Sequence, residues 1–304
     1  MTVDAELQTF LVEMNGPPLS EVPLELLREG GAVPQETPVE IAQIVNRTIP
    51  GPAGDVPVRL YYPRAVKELP ILVYFHGGGF VLGNLESHDS LCRKIALGAD
   101  CIVMAVDYRL APEHPFPAAP EDSLAATKWA LEHAEEIGGD PDRIIVGGDS
   151  AGGNLATVVA RHLRDQGIAK IRGQLLIYPV THLRPPLEGS MATNGEGYFL
   201  KAADMAWFED LYLADAEPNH PDASPLLIDD LSNLPRAFVV TAGFDPLRDQ
   251  GRAYAERLAE AGNVCDYSHY AGAIHGFFGM PTEISRRAVA EACAWLKEAH
   301  GAAD

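Results

Sequence analysis

The sequence predicts an α/β fold with a mostly parallel central sheet, helices on both faces and a helical cap. Three observations carry this. From residue 70 onward, strand-like apolar runs alternate with helical stretches, the order that builds parallel strands with crossover helices. The runs are continuous in Val, Ile and Leu, so both faces of the sheet are expected to be covered. One long stretch, 183–225, breaks the alternation between two strands, as a lid or cap does.

The elements follow in order. LQTFLVEM (7–14) and PLELLREG (23–30) read as short amphipathic helices, split by the breaker Gly16-Pro17-Pro18. IAQIVNRTI (41–49) and VPVRLYYP (56–63) read as an antiparallel pair joined by PGPAGD, a turn composition. Strands are expected at ILVYF (71–75), CIVMAVDY (101–108), RIIVG (143–147), QLLIYP (174–179), AFVVTAG (237–243) and VCDYSHY (264–270). Helices are expected at 121–136, 151–166, 247–261 and 284–299. Inside 183–225, Pro185, Pro186, Gly189, Gly195 and Gly197 precede a helical run around 202–213. The expected organisation is 1–40 as the N-terminal part of a helical cap, 41–182 as core, 183–225 as cap insertion and 226–304 as core. Both cap parts are expected over the C-terminal ends of the strands.

Composition excludes several classes of function. The 304 residues can bury a core without a disulfide or metal staple. Lys and Arg total 23 against 43 Asp and Glu, a formal net charge of -20. That balance argues against nucleic acid and against anionic membrane surfaces, which both select clustered positive charge. It favours solubility and mildly disfavours strongly anionic substrates. No apolar run reaches the ~18 residues of a membrane span. The N-terminal MTVDAELQTFLVEMNG carries early acids and no positive n-region, unlike a secretory signal. Cys92, Cys101, Cys265 and Cys293 lack metal-type spacing and read as reduced, mostly buried thiols. A cytoplasmic location is the expectation, with a homodimer as the prior for a cytosolic chain of this kind.

The chemistry begins at Ser150. RIIVG runs into Gly148-Asp149-Ser150-Ala151-Gly152 and then GNLATVVARHL, a G-x-S-x-G motif in a strand–turn–helix context. The sharp turn thrusts the hydroxyl out at the sheet edge, and flanking glycines avoid clashes with strand and helix. The pattern alone is weak, and Ser150 could simply cap the helix; the flanking elements favour a nucleophile. Strand ILVYF ends in His76-Gly77-Gly78-Gly79-Phe80, whose bare backbone amides can hold a developing oxyanion. A nucleotide loop is the rival, but Leu82 stands where G-x-G-x-x-G needs its third glycine. Ala151, following the nucleophile, supplies another amide.

A nucleophilic serine needs an acid and a base, expected in the chain order Ser, Asp or Glu, His. Asp245 lies just past AFVVTAG on the same sheet edge, with Asp249 as second choice; by itself Asp245 would read as a helix cap before Pro246. Of the later histidines, His269 falls in a strand-like run and His300 in the terminal AHGAAD. His275 follows the strand in a loop and can reach over the edge to Ser150. No cofactor and no metal is called for.

The chain resembles bacterial hormone-sensitive-lipase-type carboxylesterases of the α/β-hydrolase fold, in the branch with GDSAG rather than GTSAG. HGGGF (76–80), DYRLAPEHPFPAA (107–119), GDSAGGNLA (148–156), DPLRD (245–249) and HGF (275–277) match in order over nearly the whole chain. The resemblance implies Ser150 as nucleophile, Asp245 as acid and His275 as base. It implies oxyanion donors at Gly78, Gly79 and Ala151; sequence alone does not separate Gly77 from its neighbours. Tyr108, Arg109 and Glu113 match a stretch supporting the active-site wall, though ion pairs bracing the sheet are the preferred reading. The small-molecule substrate is then a short- to medium-chain ester, cleaved through an acyl-enzyme, with activity falling at acid pH as the base is protonated. Phe10, Leu11, Tyr198, Phe199 and Trp207 are candidates for the acyl pocket or for packing of the cap. Amidase, lactonase or arylester deacetylase chemistry on the same triad remains open. So does a non-enzymatic relative that binds a small ligand, disfavoured by the presence of His275.

Overall fold

The computed structural model describes residues 2–13, 16–30, 37–168 and 170–301. Met14, at the end of the first expected helix, and residues 31–36 of the expected N-terminal cap part lie outside them, as do 302–304 of AHGAAD. The chain order begins with α1 (Ala5–Glu13), α2 (Leu24–Gly30), β1 (Gln43–Gly51), β2 (Gly54–Tyr62), β3 (Leu69–Phe75), α3 (Asp89–Ala99) and β4 (Ile102–Val106). It continues with α4 (Ala118–His133), β5 (Gly139–Asp149), α5 (Ala151–Asp165), β6 (Ile171–Ile177), α6 (Gly189–Asn194) and α7 (Ala202–Leu213). It closes with β7 (Arg236–Phe244), α8 (Arg248–Glu260), β8 (Cys265–Ile274) and α9 (Glu283–Gly301).

The eight strands form one sheet in the order β1-β2-β4-β3-β5-β6-β7-β8. β1 and β2 pair antiparallel, as do β2 and β4; from β4 to β8 every pairing is parallel. Every expected strand and helix has its counterpart, with ends shifted by a few residues. Two helices, α3 and α6, are additions to the sequence reading.

The continuous apolar strands have a direct physical consequence. In β3, Ile71, Val73 and Phe75 enter one buried cluster, while Leu72 and Tyr74 enter the other. In β4, Ile102, Met104 and Val106 alternate with Val103 and Ala105 in the same way. Successive side chains point to opposite faces, so a strand covered on both faces has no polar side to show. Ala126 of α4, Leu155 of α5 and Leu258 of α8 cover the first face. Ile95 of α3 and Leu296 of α9 cover the second.

α1 departs from the simplest picture of an N-terminal cap. Its Leu7 is buried in the second cluster, and the backbone N–H of Asp4 donates to Gly272 O at 2.9 Å, beside β8. The segment 16–28 instead lies against the insertion: Leu19 N–H donates to Asp204 Oδ1 of α7 at 2.9 Å.

Candidate active site

Parallel strands deliver their C-terminal ends to one edge, and the candidate residues gather there. β5 ends at Asp149 and α5 begins at Ala151, leaving Ser150 alone in the turn. Its backbone stands at φ 54 and ψ -116, outside the regions open to most L-residues. Such a conformation costs on the order of 1–3 kcal/mol. It persists because the surroundings dictate it: Ser150 N–H donates to Ile177 O at 2.9 Å, and Val180 N–H donates to Ser150 O at 3.1 Å. The chain passes so close to β3 that a Cβ on Gly148 or Gly152 would overlap the Phe75 carbonyl.

Asp245 follows β7 and is fully buried. Its Oδ1 accepts the Leu247 N–H at 2.8 Å, and its Oδ2 lies 2.8 Å from His275 Nδ1. His275 follows β8, and its Nε2 lies 3.0 Å from Ser150 Oγ. Tyr178 lies against the imidazole at 4.6 Å between ring centres. The structure therefore brings Ser150, His275 and Asp245 into one hydrogen-bonded line. Asp249 is elsewhere: its Oδ2 accepts the Ser190 N–H at the start of α6, at 2.7 Å. His269, on β8, is paired with Thr241 of β7. His300, rather than ending a loose tail, is buried on α9. α6 also braces the acid: Asn194 Nδ2 donates to the Gly243 and Asp245 carbonyls at 3.2 and 3.1 Å.

The glycine loop separates its three members. Gly77 N–H donates to Asp149 Oδ1 at 3.0 Å, so it is committed and leaves the oxyanion-donor set. The amides of Gly78 and Gly79 have no partner among the described residues. Both glycines have positive φ, 120° and 62°, which an L side chain resists. The Ala151 N–H opens α5, where the first amides lack intrahelical acceptors.

A cavity of about 430 Å³ stands above these groups. Ser150, His275, Gly78 and Gly79 lie on its floor side; segment 16–28 and α7 contribute the opposite wall. Of the acyl-pocket candidates, Phe199 lines it. The others are corrections. Tyr198 packs on Phe244, Leu11 beside the second core cluster and Trp207 beside the first, and Phe10 is likewise absent from the lining. α7 turns Asp204, Met205, Phe208 and Glu209 to the cavity, a face that excludes Trp207.

Two polar groups here, Glu209 and Arg28, had no sequence signal. Glu209 is buried against the cavity, and burial pushes its carboxyl up to about 7. Its Oε1 accepts the Arg184 N–H at 3.1 Å. Arg28 of α2 donates to both oxygens of Glu113 at 2.8 Å and to the carbonyls of Val81 and Ala111. Glu113 thus ties down the N-terminal wall, while Arg109 holds Asp122 with 2.9 and 2.8 Å bonds. Tyr108 donates to His76 O at 2.7 Å and stacks on that imidazole. Burial, then the neighbouring His88, pushes His76 down to about 4. Among the described residues, no group of three His, Cys, Asp or Glu side chains is placed to hold a metal ion.

A family model described as alpha/beta hydrolase fold matches residues 72–279. The chain belongs to the α/β-hydrolase family. This α/β-hydrolase is 42% identical over 303 residues to the carboxylesterase NlhH of Mycobacterium tuberculosis, covering 96% of this chain and 93% of that one. It is 46% identical over 246 residues to the carboxylic ester hydrolase LipN of the same organism. That match covers 78% of this chain and spans 65% of LipN. Among solved structures, an ester hydrolase from the metagenome of Lake Arreo, in complex with a bipyridine phosphonate derivative, superposes with a TM-score of 0.94. The two are 42% identical, over 99% of this chain and 100% of the other. These relatives place the α/β-hydrolase chain in the hormone-sensitive-lipase-type branch that its motifs resemble.

Proposed function

We propose that this chain is a serine carboxylesterase acting on short- to medium-chain esters, with Ser150 as nucleophile, His275 as base and Asp245 as acid. The observation that carries the reading is the 3.0 Å and 2.8 Å line from Ser150 Oγ through His275 to Asp245, opening into an apolar cavity. His275 Nε2 takes the Ser150 proton as Oγ attacks the ester carbonyl carbon. The carbonyl oxygen becomes an oxyanion facing the free amides of Gly78, Gly79 and Ala151. His275 then returns the proton to the alcohol oxygen as the C–O bond breaks, leaving an acyl-enzyme. Water repeats the sequence and releases the acid. Asp245, buried and bonded to Nδ1, holds the ring's orientation and balances the imidazolium.

The substrate range follows from the enclosure. A cavity near the lower end of the usual ~300–1,000 Å³ suits a compact ester rather than a long-chain glyceride. Segment 16–28 and the insertion 183–225 act together as its cap. The formal charge of -20 speaks against nucleic-acid partners. Among the described residues no helix is long and apolar enough to cross a membrane, and we place the protein in the cytoplasm, as a homodimer. Hydrolysis of p-nitrophenyl esters from acetate to palmitate tests the reading. Activity peaking at acetate to hexanoate, and lost in S150A and H275A, is expected. A maximum at palmitate overturns the substrate range, and undiminished S150A activity overturns the mechanism.

A further inference from the structure

Asp149 precedes the nucleophile, is buried, and takes part in no step of acyl transfer. Its Oδ1 accepts the Tyr74 hydroxyl at 2.7 Å and the Gly77 N–H at 3.0 Å. His88 Nε2 stands 3.3 Å from the same carboxylate and presents Nδ1 to Ser87 Oγ at 2.9 Å. Burial pushes this carboxyl up, but the imidazole of His88 and the Tyr74 hydroxyl outweigh it and hold it below the usual range. The charged carboxylate therefore stays available as a strong acceptor.

What it accepts is the head of the oxyanion loop. Peptide groups are planar and trans, so a pinned C=O fixes the N–H on the other side of the same plane. Gly77 O lies 2.8 Å from His76 Nδ1, which fixes the direction of the Gly78 N–H. Gly78 O accepts the Val81 and Leu82 N–H groups at 3.1 and 2.8 Å, which fixes the Gly79 N–H. The plane before these two is held at both ends, at Gly77 N–H by Asp149 and at His76 O by the Tyr108 hydroxyl at 2.7 Å. A Cβ on Gly77 would overlap the same carboxylate, so the loop has room for this seating only with glycine.

We propose, on the basis of the esterase reading above, that Asp149 is a positioning residue for the oxyanion hole: by accepting the Gly77 N–H it seats, together with the Tyr108 hydroxyl on His76 O, the first peptide plane of the loop whose next two planes aim the Gly78 and Gly79 amides at the oxyanion. The contact is invisible in sequence, since it joins residues 72 positions apart. Loss of the acceptor misaims two donors at once, whereas loss of one donor outright costs about 10²–10³ in kcat. The amide oxygen of an asparagine can accept the same two hydrogen bonds, so the acceptor rather than the charge is what the loop requires.

The experiment compares wild type, D149A, D149N and Y74F with p-nitrophenyl butyrate and with an alkyl trifluoromethyl ketone. In the ketone complex Ser150 Oγ adds to the carbonyl carbon, His275 keeps the proton and the oxygen becomes an oxyanion in the donor site. D149A is expected to lose about 10²–10³ in kcat, with KM within about threefold and ketone affinity falling in proportion. D149N is expected to recover to within about tenfold of wild type. D149A with kcat within threefold overturns the proposal, as does D149N as impaired as D149A. If D149A does not unfold cooperatively, Y74F decides. A parallel loss of about 3- to 10-fold in kcat and ketone affinity supports the proposal, and wild-type values overturn it. Wild-type protein without turnover overturns the esterase reading and this proposal together; an active wild type separates the two.

Discussion

Replacing Glu209 by glutamine tests whether the cavity carries a carboxyl that burdens the fold. The side chain is 7% exposed, and burial is the largest influence on it. In the unfolded chain it loses its proton near 4.5; in the folded protein, near 7. Between those values the unfolded state releases a proton that the folded state keeps, so stability falls as pH rises through this window. At about 1.4 kcal/mol per pH unit, the full effect above pH 7 is about 3 kcal/mol. Glutamine keeps an oxygen for the Arg184 N–H and has no proton to lose. An unfolding entropy of about 2 cal/mol/K per residue gives about 0.6 kcal/mol/K for a chain of this length. E209Q should therefore raise Tm by about 5 °C at pH 8 and leave it nearly unchanged at pH 4.5. Thermal unfolding followed by circular dichroism at both pH values reads this directly. A Tm difference independent of pH, or a less stable variant at pH 8, refutes the reasoning.

Three further outcomes are expected. His300 is buried on α9, and burial, then Arg143, pushes it down to about 3. The unfolded chain gains its proton below about 6.5 while the folded one does not, so H300F should lose about 2 kcal/mol less than wild type between pH 7.5 and pH 5 in urea unfolding. Phe208 stands over Gly79, 2.5 Å from where a Cβ there would lie, so F208A should move the preferred ester to longer chains in the p-nitrophenyl series. R28A removes the tie between α2 and the body, part of it to a half-exposed Glu113; at about 1.4 kcal/mol per tenfold, KM for the butyrate ester should rise about 5- to 10-fold with kcat within threefold.

The sheet was legible because strands buried on both faces leave an unmistakable apolar run, as in ILVYF and RIIVG. α3 escaped although Cys92, Ile95, Ala96 and Ala99 form its buried stripe; Gly98 and three charged residues mask the period. The line of Ser150, Asp245 and His275 could be read as candidates because each follows a strand ending at the same edge. Trp207 and Phe208 differ by one helical step, about 100°, and sequence gave no phase for α7. Gly77 could not be told from Gly78 and Gly79 because its distinction is a bond to a side chain on another strand. Leu11 was drawn to the cap by its place in the chain, whereas α1 is seated beside β8 through Leu7 and Asp4. Glu209 and Arg28 matter through burial and partners, neither of which a single sequence displays.

Active-site titration with paraoxon, with the modified peptide located by mass spectrometry, reaches furthest. It asks in one step whether Ser150 is nucleophilic and whether a neighbouring base activates it. One diethyl phosphate per chain on Ser150, with p-nitrophenyl butyrate turnover lost in proportion and no adduct in S150A or H275A, is the expected result. Folded protein that forms no adduct, or forms one on another residue while turnover persists, contradicts a catalytic line of Ser150, His275 and Asp245.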